Sequence, residues 1–237
     1  MPHTVFYLLL LFNSLMLRAQ TSFDSSYANA ISVYTTTIGL NQHIYNGAEY
    51  IDYDHRITGS PFFEKNSFVN GSIVYDGILY NNVQLIYDIW RENVVIKNYN
   101  RLPLLLINEK VSAFDLEGHQ FIKITTDSLT EKLGLSGFYN VLCNGTVKLF
   151  AKRKKLLEEK ITTPTIEASF IQKNEYYILN NSVFYAVANK KSLLNALDDQ
   201  KPALQKYIKQ QKLKFRKTLE ADLIKAVVYY GSINQSK

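Results

Sequence analysis

The chain has 237 residues, of which 46% are hydrophobic and 20% charged, and its net charge is +6. This composition excludes a disordered or low-complexity chain and suits one large domain or two small ones with a real hydrophobic core. The mild positive charge favours anionic partners without requiring them. Cys143 is the one cysteine, so an internal disulfide is excluded, and we expect this thiol to be a buried small hydrophobe.

An apolar run near the N-terminus predicts a secretory signal peptide. The run extends from Val5 to Leu17, interrupted at Asn13 and Ser14. About 13 residues are too few to span a bilayer, which takes about 20, but they fit the core of a signal peptide. Ala19 supplies a small residue at the cut, so we expect residues 1–19 to be removed. Because no Lys or Arg precedes the run, a buried N-terminal helix remains the alternative.

No later segment approaches about 18 uninterrupted apolar residues, so the sequence predicts no transmembrane helix in the mature chain. We therefore expect an exported protein, located in the periplasm or at the cell surface.

Residues 20–67 are polar or rich in turn-forming residues. We interpret them as an irregular N-terminal segment with a short helix over Ser26–Tyr34 and a strand over Tyr50–Tyr53.

Residues 68–189 show the strongest pattern, that of an antiparallel β core. Asp76-Gly77 between two β-rich runs predicts a two-residue hairpin, because this turn needs positive φ at both central residues. Asn81-Asn82 predicts the next turn, and the alternation from Val83 to Trp90 predicts a strand. Asn144-Gly145 predicts a second hairpin, between strands Phe138–Cys143 and Thr146–Lys152.

Short strands about every ten residues favour an antiparallel meander over a parallel sheet. The further predicted strands are Val94–Lys97, Leu102–Ile107, Val111–Leu116, Phe121–Thr125, Phe170–Gln172, Tyr176–Asn180 and Val183–Val187. We expect the loop Thr162–Pro164 to separate a β-rich core from the tail.

Residues 190–237 change to helical periodicity. We predict helices over Ser192–Leu197, from Pro202 onwards and over Thr218–Tyr230, with Gly231 ending the last one. The predicted fold class is α+β, mainly an antiparallel β meander with two or three C-terminal helices.

Candidate catalytic residues are few. Three histidines follow the predicted cut, His43, His55 and His119, and none has a zinc-binding spacing. Asp52, Asp54 and His55 form the densest cluster, and a strand through them would place both carboxylates on one face. A solvated strand edge is the simpler interpretation. The chain lacks the common nucleotide-binding and hydrolase motifs, so we predict neither a metal nor another cofactor.

Two basic stretches are candidates for contact with anions. Lys152–Lys155 is predicted to end a strand, and residues 201–217 contain seven Lys or Arg and no acidic residue. Lys209 and Lys212 represent a surface that could meet lipid phosphates. Nucleic acid is disfavoured by export. The alternative is a solvated helix face whose lysine stems cover the core.

Aromatic residues are abundant, with 17 Tyr and 13 Phe. Tyr75, Tyr80 and Tyr87 occupy predicted strands, where exposed rings can stack on sugars or bind extended peptides. The alternative is an amphipathic strand residue with a buried ring and a wet hydroxyl.

Several stretches resemble uncharacterised exported proteins of Bacteroidota. They are Gly71–Gly77, Tyr80–Asp88, Lys190–Leu194, Tyr207–Lys209, Tyr229-Tyr230 and the Ala19-Gln20 junction. The resemblance implies a periplasmic or surface location and supplies no activity.

These patterns favour an exported, non-enzymatic envelope protein that binds a protein, a peptide or a glycan at a sheet face or an open edge. The alternative is an envelope hydrolase with a site around Asp52, Asp54 and His55, joined by His119. A third hypothesis is weak peripheral contact of the basic tail with an anionic surface.

Overall fold

A computed structural model describes residues 43–125, 135–162 and 165–234. The predicted signal peptide and the helix over Ser26–Tyr34 lie outside these residues, and both stay predictions. The chain divides into two compact units, residues 1–46 and residues 47–237. In the first unit the described residues form one turn of 3-10 helix, His43–Tyr45.

The described residues of the second unit form one sheet of 11 strands, in which every pairing between strands is antiparallel, followed by three helices. This confirms the predicted fold class. The strands are β1 Ala48–Glu49, β2 Val69–Tyr75, β3 Ile78–Asp88, β4 Asn93–Lys97, β5 Pro103–Leu105, β6 Val111–Leu116, β7 His119–Ile124, β8 Gly137–Asn144, β9 Lys148–Thr162, β10 Thr165–Asn180 and β11 Val183–Ala186.

The strand order is β1-β5-β4-β3-β2-β6-β7-β8-β9-β10-β11, so the sheet is two meanders that diverge from β2. The sheet is also curved. The Lys155 N–H on β9 donates to the Ile89 carbonyl just beyond the end of β3 at 3.3 Å, although four strands separate β3 from β9 in the sheet order. The curvature encloses a cluster of rings on the inner face. Its members are Phe63, Tyr87, Phe114, Phe121 and Phe138, with neighbouring centroids 4.7 to 5.9 Å apart.

The two turns predicted near β2, at Asp76-Gly77 and at Asn81-Asn82, have different outcomes. The Asp76-Gly77 hairpin is confirmed, with φ of 52° and 77° and Tyr75 paired with Ile78. The predicted turn at Asn81-Asn82 is wrong, since β3 runs through both residues. They form a β-bulge opposite Ser72, and Asn82 has the positive φ of 56° that asparagine tolerates.

β9 and β10 form one long hairpin, with Lys148 paired to Leu179 and Thr162 to Thr165. The predicted separate strands Phe170–Gln172 and Tyr176–Asn180 are therefore one strand. The predicted loop Thr162–Pro164 falls largely on residues 163 and 164, which lie outside the described residues; the strands on either side of it pair with each other. The Asn144-Gly145 hairpin is confirmed, although its loop has three residues because Asn144 pairs with Lys148.

Three helices pack on β8–β10: α1 Lys190–Ala196, α2 Lys201–Gln210 and α3 Leu219–Asn234. Pro202 lies in the first turn of α2, as predicted. The predicted end at Gly231 is wrong, because α3 continues to Asn234. Among the described residues, no helix is long and apolar enough to cross a membrane.

A partly buried ion pair joins the end of β3 to β8 and β9. Lys152 is 6% exposed and donates both to the Glu92 carboxylate and to the Ser136 carbonyl. Glu92 also accepts from the Phe138 N–H at 2.8 Å. Gly137 has a φ of 112°, and a Cβ there would overlap both the Glu92 and the Lys152 side-chain ends. The pair therefore requires glycine at this position.

Gly137→Ala should destabilise the protein by about 2–3 kcal/mol, because it combines backbone strain with displacement of a partly buried ion pair. Gly118→Ala is the matched control, since Gly118 has a φ of 83° and open space around its Cα. This control should cost only about 1 kcal/mol of strain. Urea unfolding measures both, and equal losses would contradict the role of the ion pair.

Candidate functional site

Residues 50–68, here called the strap, cross from β5 past the end of β3 to β10 with no regular secondary structure. The Tyr50 N–H donates to the Pro103 carbonyl on β5, and Phe62 forms an antiparallel backbone bridge with Asp88 on β3. Midway along the strap, before the chain returns to β3 at Phe62, the Thr58 N–H donates to the Ala168 carbonyl at 2.8 Å. The strap is thus tied to the sheet by backbone bonds at three places.

Asp88 anchors the strap through its side chain. Its carboxylate is 0% exposed and accepts from the hydroxyls of Tyr50, at 3.0 Å, and Tyr53. It also accepts from the N–H groups of Trp90 and Arg91, each at 3.0 Å. Burial, together with the negative charge of Asp88, raises the pKa of both tyrosines above its ordinary value. The hydroxyls therefore stay protonated and act as donors.

Between the strap and β3–β5 lies a cavity of about 150 Å³, here called the strap pocket. Apolar side chains form much of its wall, and three polar side chains lie among them. The lining residues are Tyr50, Asp52, Phe62, Asn66, Ser67, Phe68, Ile86 and Pro103. This combination, an apolar interior with a few polar groups, is typical of a binding pocket.

Two of the predicted catalytic candidates are engaged in local contacts. The predicted strand over Tyr50–Tyr53 is wrong, so the inference that Asp52 and Asp54 share one strand face loses its basis. Asp52 lines the strap pocket and accepts from the Tyr53 N–H at 2.8 Å. Asp54 is exposed, and the Arg56 guanidinium binds both of its oxygens at 2.5 to 3.0 Å.

The histidine candidates stand apart from this arrangement. His55 is exposed in the turn that follows Asp54. His119 lies on β7, where its ring packs edge-on against Phe63 and its Nε2 lies 3.5 Å from Glu64. Within the described part of the chain, no three His, Cys, Asp or Glu side chains are placed to hold a metal ion.

The tyrosine candidates divide between core and surface. Tyr75 and Tyr87 are each 0% exposed, because their rings face the inner side of the sheet, so neither offers a face to a ligand. Tyr80 is partly exposed, in the first half of β3. Surface stacking is thus open to Tyr80 alone of these three.

The basic candidates also differ. Lys152–Lys155 was predicted to end a strand, but these residues lie in the middle of β9. Arg153 binds Glu220 at 2.6 Å, and Lys154 binds Glu175 at 2.8 Å. Lys155 donates to the Ser60 carbonyl of the strap. This stretch therefore holds the fold together, whereas Lys209 and Lys212 are exposed.

A wider groove of about 460 Å³ lies between the β8–β9 loop and α3. Cys143 lines it, is half-buried and packs against the helical core. Burial raises the pKa of this thiol, which disfavours the nucleophilic thiolate. Cys143 was predicted to be a buried small hydrophobe; it does pack against the hydrophobic core, but it is only half-buried.

The pocket residues other than Asp52 were missed by sequence reasoning. Asp88 does not line the pocket but holds Tyr50, which does. The sequence offered a signal for Asp88, because an acidic residue among the apolar residues of a strand must find buried hydrogen-bond donors. Phe62 and Phe68 carried none, since their contacts to Ile86 and Tyr50 are set by the path of the strap.

No protein-family model matches the chain, and comparisons with curated proteins and with solved structures find no match. The resemblance to exported Bacteroidota proteins therefore stays a prediction.

An NMR titration of Asp54 tests whether this carboxyl can act as a general acid. Hydrogen bonds from Arg56 lower its pKa to about 2, so it should stay ionised throughout the neutral range. Arg56→Gln should return the midpoint towards the ordinary value of about 4, and Lys65→Gln should leave it unchanged. A midpoint above about 5 in the unaltered protein would support the hydrolase alternative.

Proposed function

We propose that this protein is an exported, non-enzymatic binding module, and that its strap pocket receives one apolar or aromatic side chain from a peptide segment of an envelope protein. The observation that carries the proposal is the pocket itself, an aromatic cavity held open by a buried carboxylate. Asp88 fixes Tyr50 and Tyr53, and Tyr50 in turn forms part of the pocket wall. A wall held by such bonds needs little reorganisation when a ligand enters.

The size of the pocket favours a single side chain as its occupant. Small-molecule sites usually enclose about 300–1,000 Å³, and the strap pocket has about 150 Å³. Tyr50 and Phe62 are themselves buried, so neither ring offers the open face on which a sugar stacks. These features favour a peptide side chain over a glycan.

The polar rim indicates what the side chain carries. Asp52 presents a carboxylate, Asn66 an amide and Ser67 a hydroxyl beside an apolar interior. An anchor with an apolar body and a hydrogen-bond donor at its end, such as tyrosine or tryptophan, satisfies both parts.

Apolar side chains beside the pocket extend the contact surface. Ile51 is 76% exposed and Leu102 is 55% exposed. They flank the hydrogen bond from Tyr50 to Pro103, two residues that line the pocket. A peptide that placed one side chain in the pocket could cover these two residues with its next ones.

Panning a phage-displayed library of peptides of about 12 residues tests the proposal. The selected peptides should share one aromatic or aliphatic anchor. Ser67→Trp, which fills the pocket from its rim, should weaken their binding at least about tenfold, as expected for a buried anchor. Ser112→Trp is the control at another exposed serine and should bind normally.

His55→Ala separates the binding module from the hydrolase alternative. A binding module should keep full peptide affinity with this substitution, because His55 does not line the pocket. Unchanged peptide binding by Ser67→Trp would contradict the pocket as the site. A glycan that binds the unaltered protein and is lost in Ser67→Trp would contradict the peptide as the ligand.

A further inference from the structure

The positive charge of this protein is concentrated in its helical segment. Residues 190–234 contain ten Lys or Arg and four Asp or Glu, a net charge of +6, which equals the net charge of the whole chain. The sheet and its loops are thus close to neutral as a group, and any electrostatic preference for anions originates in the helices.

Seven of these cations lie on α2 and the loop that follows it, and all seven are exposed. They are Lys201, Lys206, Lys209, Lys212, Lys214, Arg216 and Lys217. We call the surface that they form the basic helical face. Leu204 and Ile208 bury the opposite side of α2 in the helical core. Since successive residues of a helix are 100° apart, Lys206 and Lys209 project to the solvent side.

Two acidic side chains near this face are engaged internally. Asp222 is 4% exposed and accepts from the N–H groups of Lys214 and Phe215 and from the Thr218 hydroxyl. Glu220 accepts from both Arg153 and Tyr176. Because these two carboxylates bind interior donors, they are not available to pair with the lysine ammonium groups. Asp198 and Asp199 are exposed just before Lys201, at one end of the face.

Among the described residues, no ion pair joins any of the seven cations to a carboxylate. This contrasts with the cations of β9, three of which have a glutamate partner. An external anionic partner would supply the charge that the fold leaves uncompensated.

A tyrosine pair adjoins the basic helical face. Tyr207 of α2 and Tyr229 of α3 stack with centroids 4.0 Å apart and planes within 4°. Both are half-buried, so each ring has an apolar part and a part in water. Tyrosine with this division is enriched at membrane–water interfaces, and basic residues beside aromatic ones characterise interfacial helices. A soluble polyanion would use the charges but not the rings.

We propose that the basic helical face docks this protein on an anionic phospholipid surface, as a peripheral contact. The contact is electrostatic, needs no helix that crosses the bilayer, and uses none of the residues that line the strap pocket. It therefore goes beyond the proposed peptide-binding function and can succeed or fail independently of it.

Flotation with phospholipid vesicles tests the docking. The experiment uses the mature form of the protein, purified after export. Binding should occur to phosphatidylcholine vesicles with about 30% phosphatidylglycerol and not to phosphatidylcholine alone. It should fall at least about tenfold when NaCl rises from about 0.05 to about 0.5 M, because salt screens exposed charges. Absent or salt-insensitive binding would overturn the proposal.

A charge-matched pair of variants locates the surface. The first variant replaces Lys206, Lys209 and Lys212 by Gln and should lose at least about tenfold in vesicle binding. The second replaces Lys148, Lys160 and Lys173 by Gln, which removes the same charge from exposed positions on the sheet. It should lose less than about threefold; equal losses in the two variants would contradict a specific face.

Two further measurements separate the alternatives. A soluble polyanion would be the partner if inorganic polyphosphate bound as tightly as the vesicles and if Tyr229→Ser weakened neither polyphosphate binding nor vesicle binding. That result would overturn the proposal of a lipid surface. A lipid surface predicts that Tyr229→Ser weakens vesicle binding and leaves polyphosphate binding unchanged. Ser67→Trp should dock on vesicles normally, and the Lys206, Lys209, Lys212 variant should still bind peptides, so the two proposals fail separately.

Discussion

The carboxylate of Asp88 has no contact with water, and this constraint determines how the irregular part of the chain is arranged. A buried charge without donors would cost several kcal/mol, so all four of its hydrogen bonds must form together. Two of the donors, Tyr50 and Tyr53, belong to the strap, and the other two belong to the turn after β3. The Asp88 side chain and the backbone bonds to β5, β3 and β10 thus together order a segment that has no helix or strand, and the strap pocket lies between that segment and the sheet.

The two basic stretches look alike in sequence but have opposite roles, because their neighbours differ. Lys152–Lys155 lies between apolar residues of a long strand, so its side chains project alternately to the two faces and meet acids on other elements. Residues 201–217 lie on a short helix and its following loop, where only Leu204, Ile208 and Phe215 are buried. There Asp222 accepts from the backbone and Glu220 binds interior side chains. The number of basic residues in a stretch therefore does not show whether they form an exposed basic surface. What shows it is whether their side chains are paired with acidic side chains.

The sequence predicted the fold where its signals are local. Asp76-Gly77 specifies a hairpin by backbone conformation alone, and the predicted strands Val94–Lys97 and Val111–Leu116 match β4 and β6 closely. The alternation from Val83 to Trp90 found only the second half of β3. The errors arose where a local signal has two structural outcomes. Asn81-Asn82 provides a positive φ, which serves a bulge as well as a turn, and Gly231 is tolerated inside a helix whose packing outweighs its propensity. Asp52 was found as a candidate, but the strap pocket was not, because its other walls come from residues up to about 50 positions away whose approach depends on the path of the whole strap.

The two proposed surfaces differ in the physics of their contacts, so the two proposals assign them separate functions. The strap pocket is small and lined mainly by aromatic and aliphatic residues, so the peptide affinity proposed for it depends on shape more than on charge. The basic helical face acts through exposed charges over distances near the Debye length, so it attracts broadly and is weakened by salt. A protein held at a membrane by the second surface meets envelope partners at an effective concentration well above that in solution. A pocket that recognises a single side chain can then be selective without high intrinsic affinity, because the charged face supplies the encounter and the pocket supplies the specificity.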